Sequence, residues 1–346
     1  MTEVGWAKRS VPTRRDQPAV PRRVSRLRFA HSTFLVDRAP FLVACLMLAV
    51  LVAIYGALRD GVFTLEELNL DAAASMALLL AATGQTIVLL RGGIDLSIGG
   101  MISLGTVIAA TEFGDSWTTA LPWGIAIPVI GLLVGMTNGL LISLLRLQPF
   151  LVTLATWSIL SGAALLILPT DGGTLPQGWM AFGNASLVGL STSVWILLVL
   201  FLFWLWFSKT RLGVTIRATG SNEKSAFLSG VSITFVNVAT YGLSGFFAAL
   251  AALYLTTQTG SGSPTIGKDY ILPSVAAAVI GGISLFGGRG GLAGTVIGAF
   301  ILTIIGNLVF VLSVSSYWQP IVSGVILLVA VLASSLAERS ARRSVT

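Results

Sequence analysis

The chain has 346 residues, of which 55% are hydrophobic and 10% charged, with mean hydropathy +0.89 and net charge +7. Soluble domains carry roughly 25% charged residues, so this chain lacks the polar surface to cover a water-soluble globule. One cysteine, Cys45, removes a disulfide framework and a cysteine metal cluster, and one histidine, His31, removes histidine metal sites and histidine-based triads.

Residues 1–38 are basic and proline-rich, without an apolar run, and read as an unstructured cytoplasmic tail. The next run, "PFLVACLMLAVLVAIYGAL", is followed by no A-x-A-like cleavage site, so it reads as a membrane helix and not as a cleaved signal. Continuous apolar runs of about 20 residues indicate helices; a barrel would show short segments of alternating polarity. The spans expected are 39–58, 72–90, 96–112, 121–144, 149–168, 192–208, 234–256, 270–286, 292–312 and 319–336. The fold class is therefore an all-α polytopic membrane protein of about ten transmembrane helices. The transmembrane domain covers 39–336, and a second cytoplasmic tail covers 337–346.

Ten spans with a basic tail inside place both termini in the cytoplasm and residues 169–190 outside. Nineteen of the 21 Lys and Arg residues then fall inside, leaving Arg59 and Lys268 outside. That asymmetry follows the positive-inside rule and accounts for the net charge without nucleic acid.

Between the second and third spans lies "LLRGGIDLSIGG", residues 89–100. Asp95 or Ser97 is placed to cap the third span, and Arg91 stands four residues from Asp95 as a candidate partner. An aspartate deep in hydrocarbon must be capped, paired or wet. "IGGISLFGGRGGLAG" repeats the G-G-I-x-L pattern, pairing Gly92 and Gly93 with Gly281 and Gly282. Many transporters contain two repeats with broken helices in corresponding places, so an internal inverted repeat is one reading of the echo and a chance match is the other. Gly131, Gly135 and Gly139, and Gly294 with Gly298, are spaced four apart and suit close helix packing.

Three motif matches lack the context that chemistry needs. Residues 262–268 fit G-x-x-x-x-G-K but are followed by Asp269 and preceded by a membrane helix. "GGRGGLAG" has no βαβ unit around it. "GLSG" at 242–245 offers a serine, yet no histidine base exists in any span. No enzyme activity, metal site or cofactor is expected. Gln85, Asn138, Ser143, Thr153, Asn237 and Asn307 are the polar residues in spans, and Gln85, Asn138 and Asn307 are candidates for a solute pathway. The shortage of intramembrane carboxylates counts against an ion-coupled carrier or channel for a small polar solute, which is the alternative reading.

The segment 209–233 joins the sixth and seventh spans on the inner side. Ser221 or Asn222 suits an N-cap and Gly230 a C′ position. The two-turn helix between them presents Ala226, Phe227 and Leu228, and a helix this short needs a surface to dock on.

"GGIDLSIGG", "LQPFLVTLATWSILSG", "GVTIRATGSNEKSAFLSGVSI" and "VIGGISLFGGRGGLAGTVIGAFIL" together resemble the permease subunits of bacterial ABC sugar importers. The importers in question are of the ribose, xylose, arabinose and galactose type, related more distantly to branched-chain amino acid and nucleoside permeases. The resemblance runs from about residue 70 to 336. It implies a multi-pass inner-membrane subunit working with a second permease subunit, identical or homologous, a separate ABC ATPase and a periplasmic sugar-binding protein. It also implies that Arg217, Gly220, Asn222, Glu223, Ala226, Leu228 and Gly230 belong to an ATPase-coupling loop, to which exposed Phe227 is added. Gly92, Gly93, Asp95, Leu96 and Ser97 match the family's membrane motif; a hinge supported by capping is the role expected of that aspartate.

Overall fold

The structure is a computed structural model that describes residues 26–315 without a break and isolated positions between 317 and 328, with side chains described from Pro40 onward. Two units divide at Ala39. In the first, the backbone is helical from Arg26, against the unstructured tail expected for all of residues 1–38. No glycine or proline interrupts residues 26–39, so a helix, once nucleated, propagates through them.

Among the described residues the chain forms α1 (Arg26–Leu58), α2 (Leu65–Arg91), α3 (Ser97–Glu112), α4 (Trp117–Leu144), α5 (Pro149–Ile167) and α6 (Gln177–Gly183). A hairpin of β1 (Ser186–Leu187) and β2 (Leu190–Ser191) follows, pairing Ser186 with Ser191. After it come α7 (Thr192–Phe207), α8 (Arg211–Ser221), α9 (Glu223–Leu228), α10 (Ile233–Thr259), α11 (Lys268–Ile280) and α12 (Leu292–Val311). The protein is an all-α polytopic membrane protein. Among the described residues six helices are long and apolar enough to cross a bilayer, or seven if α7 and α8, bent by 73°, count as one span.

Nine expected spans fall on helices, and the tenth, 319–336, lies almost wholly outside the described residues. Three of the nine are shorter than a crossing, α7 with 16 residues among them. α3 with 16 residues and α11 with 13 rise about 24 and 20 Å, against about 30 Å of hydrocarbon. The expectation of a helix over 270–286 fails at its end, because Gly282 takes a left-handed φ of 89° and closes α11 with Gly282 N donating to Val279 O and Ile283 N to Ala278 O. α2 starts earlier than expected because Thr64 caps it, accepting from Glu67 N. Glu67 therefore sits buried in the helix instead of in a loop, where Tyr55 and Arg59 donate to its carboxylate at 2.6 and 2.7 Å.

From Ser75 to Leu90 α2 is buried on all sides, as a helix apolar all round should be. It runs antiparallel to α10. At one end of the pair Asn69 bonds the hairpin at Gly189 and Ser191, and Asn184 reaches Thr257 O. At the other end both helices meet α9 through Arg91 and Asn237. The 169–190 connection and the α8–α9 segment thus occupy opposite ends of the bundle.

α4 crosses α10 with backbones in contact. A Cβ on Gly131, Gly135 or Gly139 would run into the backbone of Gly245, Tyr241 or Asn237. α12 approaches α11 in the same way, with Gly294 on Gly281 and Gly298 on Ala277. The small-residue faces expected from spacing are the contact faces of these pairs.

Candidate functional site

The α8–α9 segment is built as a rigid hook. The chain bends after Phe207, and Thr210 caps α8 by accepting from Gly213 N at 3.1 Å. Asn222 then ends α8 and caps α9, its Oδ1 accepting from Ser225 N at 2.9 Å. Gly230, at φ 85°, closes α9: Gly230 N donates to Phe227 O and Val231 N to Ala226 O, the paired bonds of a Schellman turn. Ala226 is buried, whereas Phe227 and Leu228 are 65% and 76% exposed. Both caps fall where the sequence placed them. The whole of α8 was missed, because its polar, β-branched stretch reads as a loop.

The hook rests on glycine. A Cβ on Gly220 would collide with Leu90 O at the end of α2, and it would stand 2.9 Å from Gly288 N. Gly288 N donates to that same Leu90 O at 2.9 Å. Gly287 and Gly288 adopt φ values of 87° and 75°, which a side chain resists. The end of α2 at Leu90–Gly92, the last turn of α8 at Gly220 and the turn at Gly287–Gly288 therefore meet backbone to backbone. Arg217 holds α8 from the other side with its guanidinium 5.9 Å from the Trp204 ring centre.

Arg91 is the polar centre of this junction. Its Nη2 pairs with Glu223 Oε2 at 2.8 Å and its Nε donates to Asn237 Oδ1 at 2.7 Å. Asn237 in turn donates to Ser143 Oγ at 2.9 Å on α4. Arg91 thus ties the hook to α2, α10 and α4, and the expected Arg91–Asp95 pair does not form. Left-handed Gly92 sends the chain away from α2, so residues four apart here no longer share a helical face.

Asp95 is fully buried and caps the start of α3 instead. Its Oδ1 accepts from Ser97 N at 2.9 Å and from Ser97 Oγ at 2.5 Å. Ser97 Oγ accepts from Asn138 Nδ2 at 3.0 Å, and Asn138 Oδ1 accepts from Thr156 Oγ1 at 2.6 Å. This chain of bonds joins the α2–α3 break to α4 and α5. Leu96, the residue before α3, makes no side-chain cap. Asp95→Asn keeps a capping oxygen and should retain most transport, whereas Asp95→Leu removes the acceptor from Ser97 and should cost about 0.5–2 kcal/mol plus the strain of a larger side chain. Uptake at matched expression checks this, and equal inactivity of the two variants would assign the role to the charge.

Of the residues expected on a solute pathway, Gln85 and Asn138 are buried in packed protein, and Asn307 donates to Asp71 Oδ1 at 2.7 Å. Among the described residues no three His, Cys, Asp or Glu side chains come together as a metal site.

Residues 71–331 match the family described as the branched-chain amino acid transport system / permease component. The chain belongs to this family. It is similar to the ribose import permease protein RbsC of Haemophilus influenzae, 34% identical over 319 residues that cover 89% of this chain and 95% of that one. The Escherichia coli K12 RbsC is 36% identical over 293 residues, covering 82% and 90% of the two chains. The D-allose transport system permease protein AlsC of the same organism is 32% identical over 293 residues, covering 82% and 88%. No solved structure matches. The match runs from within α2 through α12 and so includes the hook, the glycine turns and the α2–α3 break. Proteins of this family are transport components rather than enzymes.

Proposed function

We propose that this permease forms the transmembrane pathway of an ATP-driven, binding-protein-dependent importer of sugars in a bacterial inner membrane. The observation that carries the reading is α9, a capped helix that shows Phe227 and Leu228 to the outside while Glu223 is tied to α2 through Arg91. Such a helix suits a groove on a separate ATPase, and the tie gives movement of that ATPase a route into the bundle. The relatives named for ribose and allose support a sugar as cargo. A second permease subunit, identical or homologous, and a periplasmic sugar-binding protein complete the assembly.

The expected internal repeat is better carried by α2–α3 and α10–α11 than by the G-G-I-x-L echo. α2 and α10 each have 27 residues and run in opposite directions. Each ends on a left-handed glycine, Gly92 or Gly260, and is followed by a break and a short helix. In the echo, by contrast, the left-handed glycine is the first of one pair and the second of the other.

The reading is tested by purifying the tagged chain from its own membranes with its partners. An associated ATPase whose hydrolysis rises with sugar-loaded binding protein is the expected result. Uptake that needs an ion gradient and no ATPase would overturn it. Both termini should be cytoplasmic, with α9 at the inner end. On a Cys45→Ser background, an impermeant thiol reagent applied outside should label Gln177→Cys and spare Ser340→Cys; the reverse pattern inverts the topology.

A further inference from the structure

We infer that the stretch from Gln258 to Asp269 lines the water-filled solute pathway, descending beside α3 to end at Lys268 and Asp269 about halfway through the membrane. The sequence reads this stretch as an outer loop, since "QTGSGSPTIGKD" is rich in Gly, Ser and Thr. The structure gives it a different course. α10 ends at Gly260, near the 177–191 connection, where Trp179 Nε1 donates to Thr256 Oγ1 at 3.0 Å. Gly262 then pairs with Gly172 and packs on Ala110 near the end of α3. Ser263 O accepts from Thr106 Oγ1 at 3.1 Å, and Gly267 N donates to Ser103 Oγ at 3.0 Å. Gly267 finally lies on the backbone of Gly99.

The contacts step down α3 through positions 110, 106, 103 and 99. Eleven residues of helix correspond to about 16 Å of descent, half of a hydrocarbon layer of about 30 Å. Non-helical backbone at that depth is tolerated where it is buried in protein or lines a wet cavity. One side of this stretch is buried on α3. Its other side carries Gln258, Thr259, Thr265, Lys268 and Asp269, all exposed. Lys268 and Asp269 form no ion pair among the described residues. Two charged side chains facing lipid at mid-depth are strongly disfavoured, so this face borders water. The G-x-x-x-x-G-K match at 262–268 is absorbed by the same geometry: its glycines permit close approach to α3 and cradle no phosphate.

The exposed groups are hydroxyls, an amide, one ammonium and one carboxylate, with no net charge. Such a row exchanges hydrogen bonds with a neutral polyhydroxylated solute: Asp269 accepts from hydroxyls and Lys268 donates to them. The choice of solute rests on the importer reading; the course of the segment does not.

The test uses the complete transporter in membranes on the Cys45→Ser background, with Thr265→Cys, Lys268→Cys and Asp269→Cys made singly. Val199→Cys on α7, exposed and mid-helix, is the lipid-facing control. A charged methanethiosulfonate reagent is applied to both faces. Because the thiolate is the reacting species and needs water, positions 265, 268 and 269 should react at least about tenfold faster than 199. Lys268→Met and Asp269→Asn should raise the KM for uptake. If all three cysteines are as inert as the control from both faces, or if position 268 only cross-links to a second copy, the pathway assignment is overturned. Reactive cysteines in a transporter that imports no sugar would keep the pathway and overturn the solute.

Discussion

Replacing Gly135 by leucine should abolish accumulation of the permease in the membrane. Gly135 faces the backbone of α10 at Tyr241 and Gly242, and a single Cβ there already overlaps the Tyr241 carbonyl. No flexible side chain can yield, because the obstacle is the helix backbone itself. α4 and α10 would have to separate, taking Gly131 and Gly139 out of their contacts and breaking the Asn237–Ser143 bond. Overpacking a core costs about 1–3 kcal/mol where side chains can adjust, and this site offers no such adjustment. Against a typical stability of about 5–15 kcal/mol, several kcal/mol leave little folded protein for the membrane quality-control proteases to spare. Gly162→Leu on α5 is the control, because nothing lies within 4 Å of a Cβ at Gly162. Membrane-fraction immunoblots and detergent melting curves should show the first variant lost and the second intact. Normal accumulation of Gly135→Leu would mean that α4 and α10 are not in backbone contact.

That contrast bears on what a sequence discloses. The spacing of Gly131, Gly135 and Gly139 marked a close-packed face because a four-residue period is a local property of a helix. Gly162 has no glycine four residues away, and the open space beside it is visible only in the structure. The caps of α9 were legible for the same local reason: Asn222 and Gly230 act on backbone groups a few residues away. The partner of Arg91 was not legible. Sequence distance favoured Asp95, but Gly92 turned the chain, and Glu223 arrived from 132 positions away. Depth was also hidden. Gly, Ser and Thr announce broken helix wherever they cluster, and the same letters serve a surface loop or a stretch held halfway through a membrane. What placed residues 262–267 was their set of partners along α3, which is tertiary information. Short helices such as α3 and α11 could be found as apolar runs, yet the early stop of α11 depends on the left-handed turn at Gly282.

Leu228→Asp should leave the permease folded and abolish coupled uptake. The change lies on α9, outside the bundle, where Leu228 is 76% exposed and the neighbouring caps use Asn222 and Gly230. Nothing in the fold depends on the leucine side chain, so accumulation and melting should match the wild type. A groove on the ATPase that receives Phe227 and Leu228 would bury both. Truncating one such anchor typically costs about 2 kcal/mol or more, a loss of about thirtyfold in affinity. An aspartate does worse than a truncation, because it also carries an unpaired charge into an apolar groove. Phe227→Ala should therefore weaken recovery of the ATPase with the tagged permease, and Leu228→Asp should eliminate it together with sugar-stimulated hydrolysis in liposomes. The Arg91–Glu223 pair adds a second readout. Arg91→Gln leaves the apolar anchors in place but cuts the tie to α2, so it should preserve ATPase binding and lower the uptake obtained per ATP hydrolysed. Binding lost in one variant and coupling lost in the other would separate the two jobs of the hook, contact and transmission. Wild-type coupling in Leu228→Asp would reduce α9 to a surface element, and the route for energy into the bundle would have to lie elsewhere on the inner face.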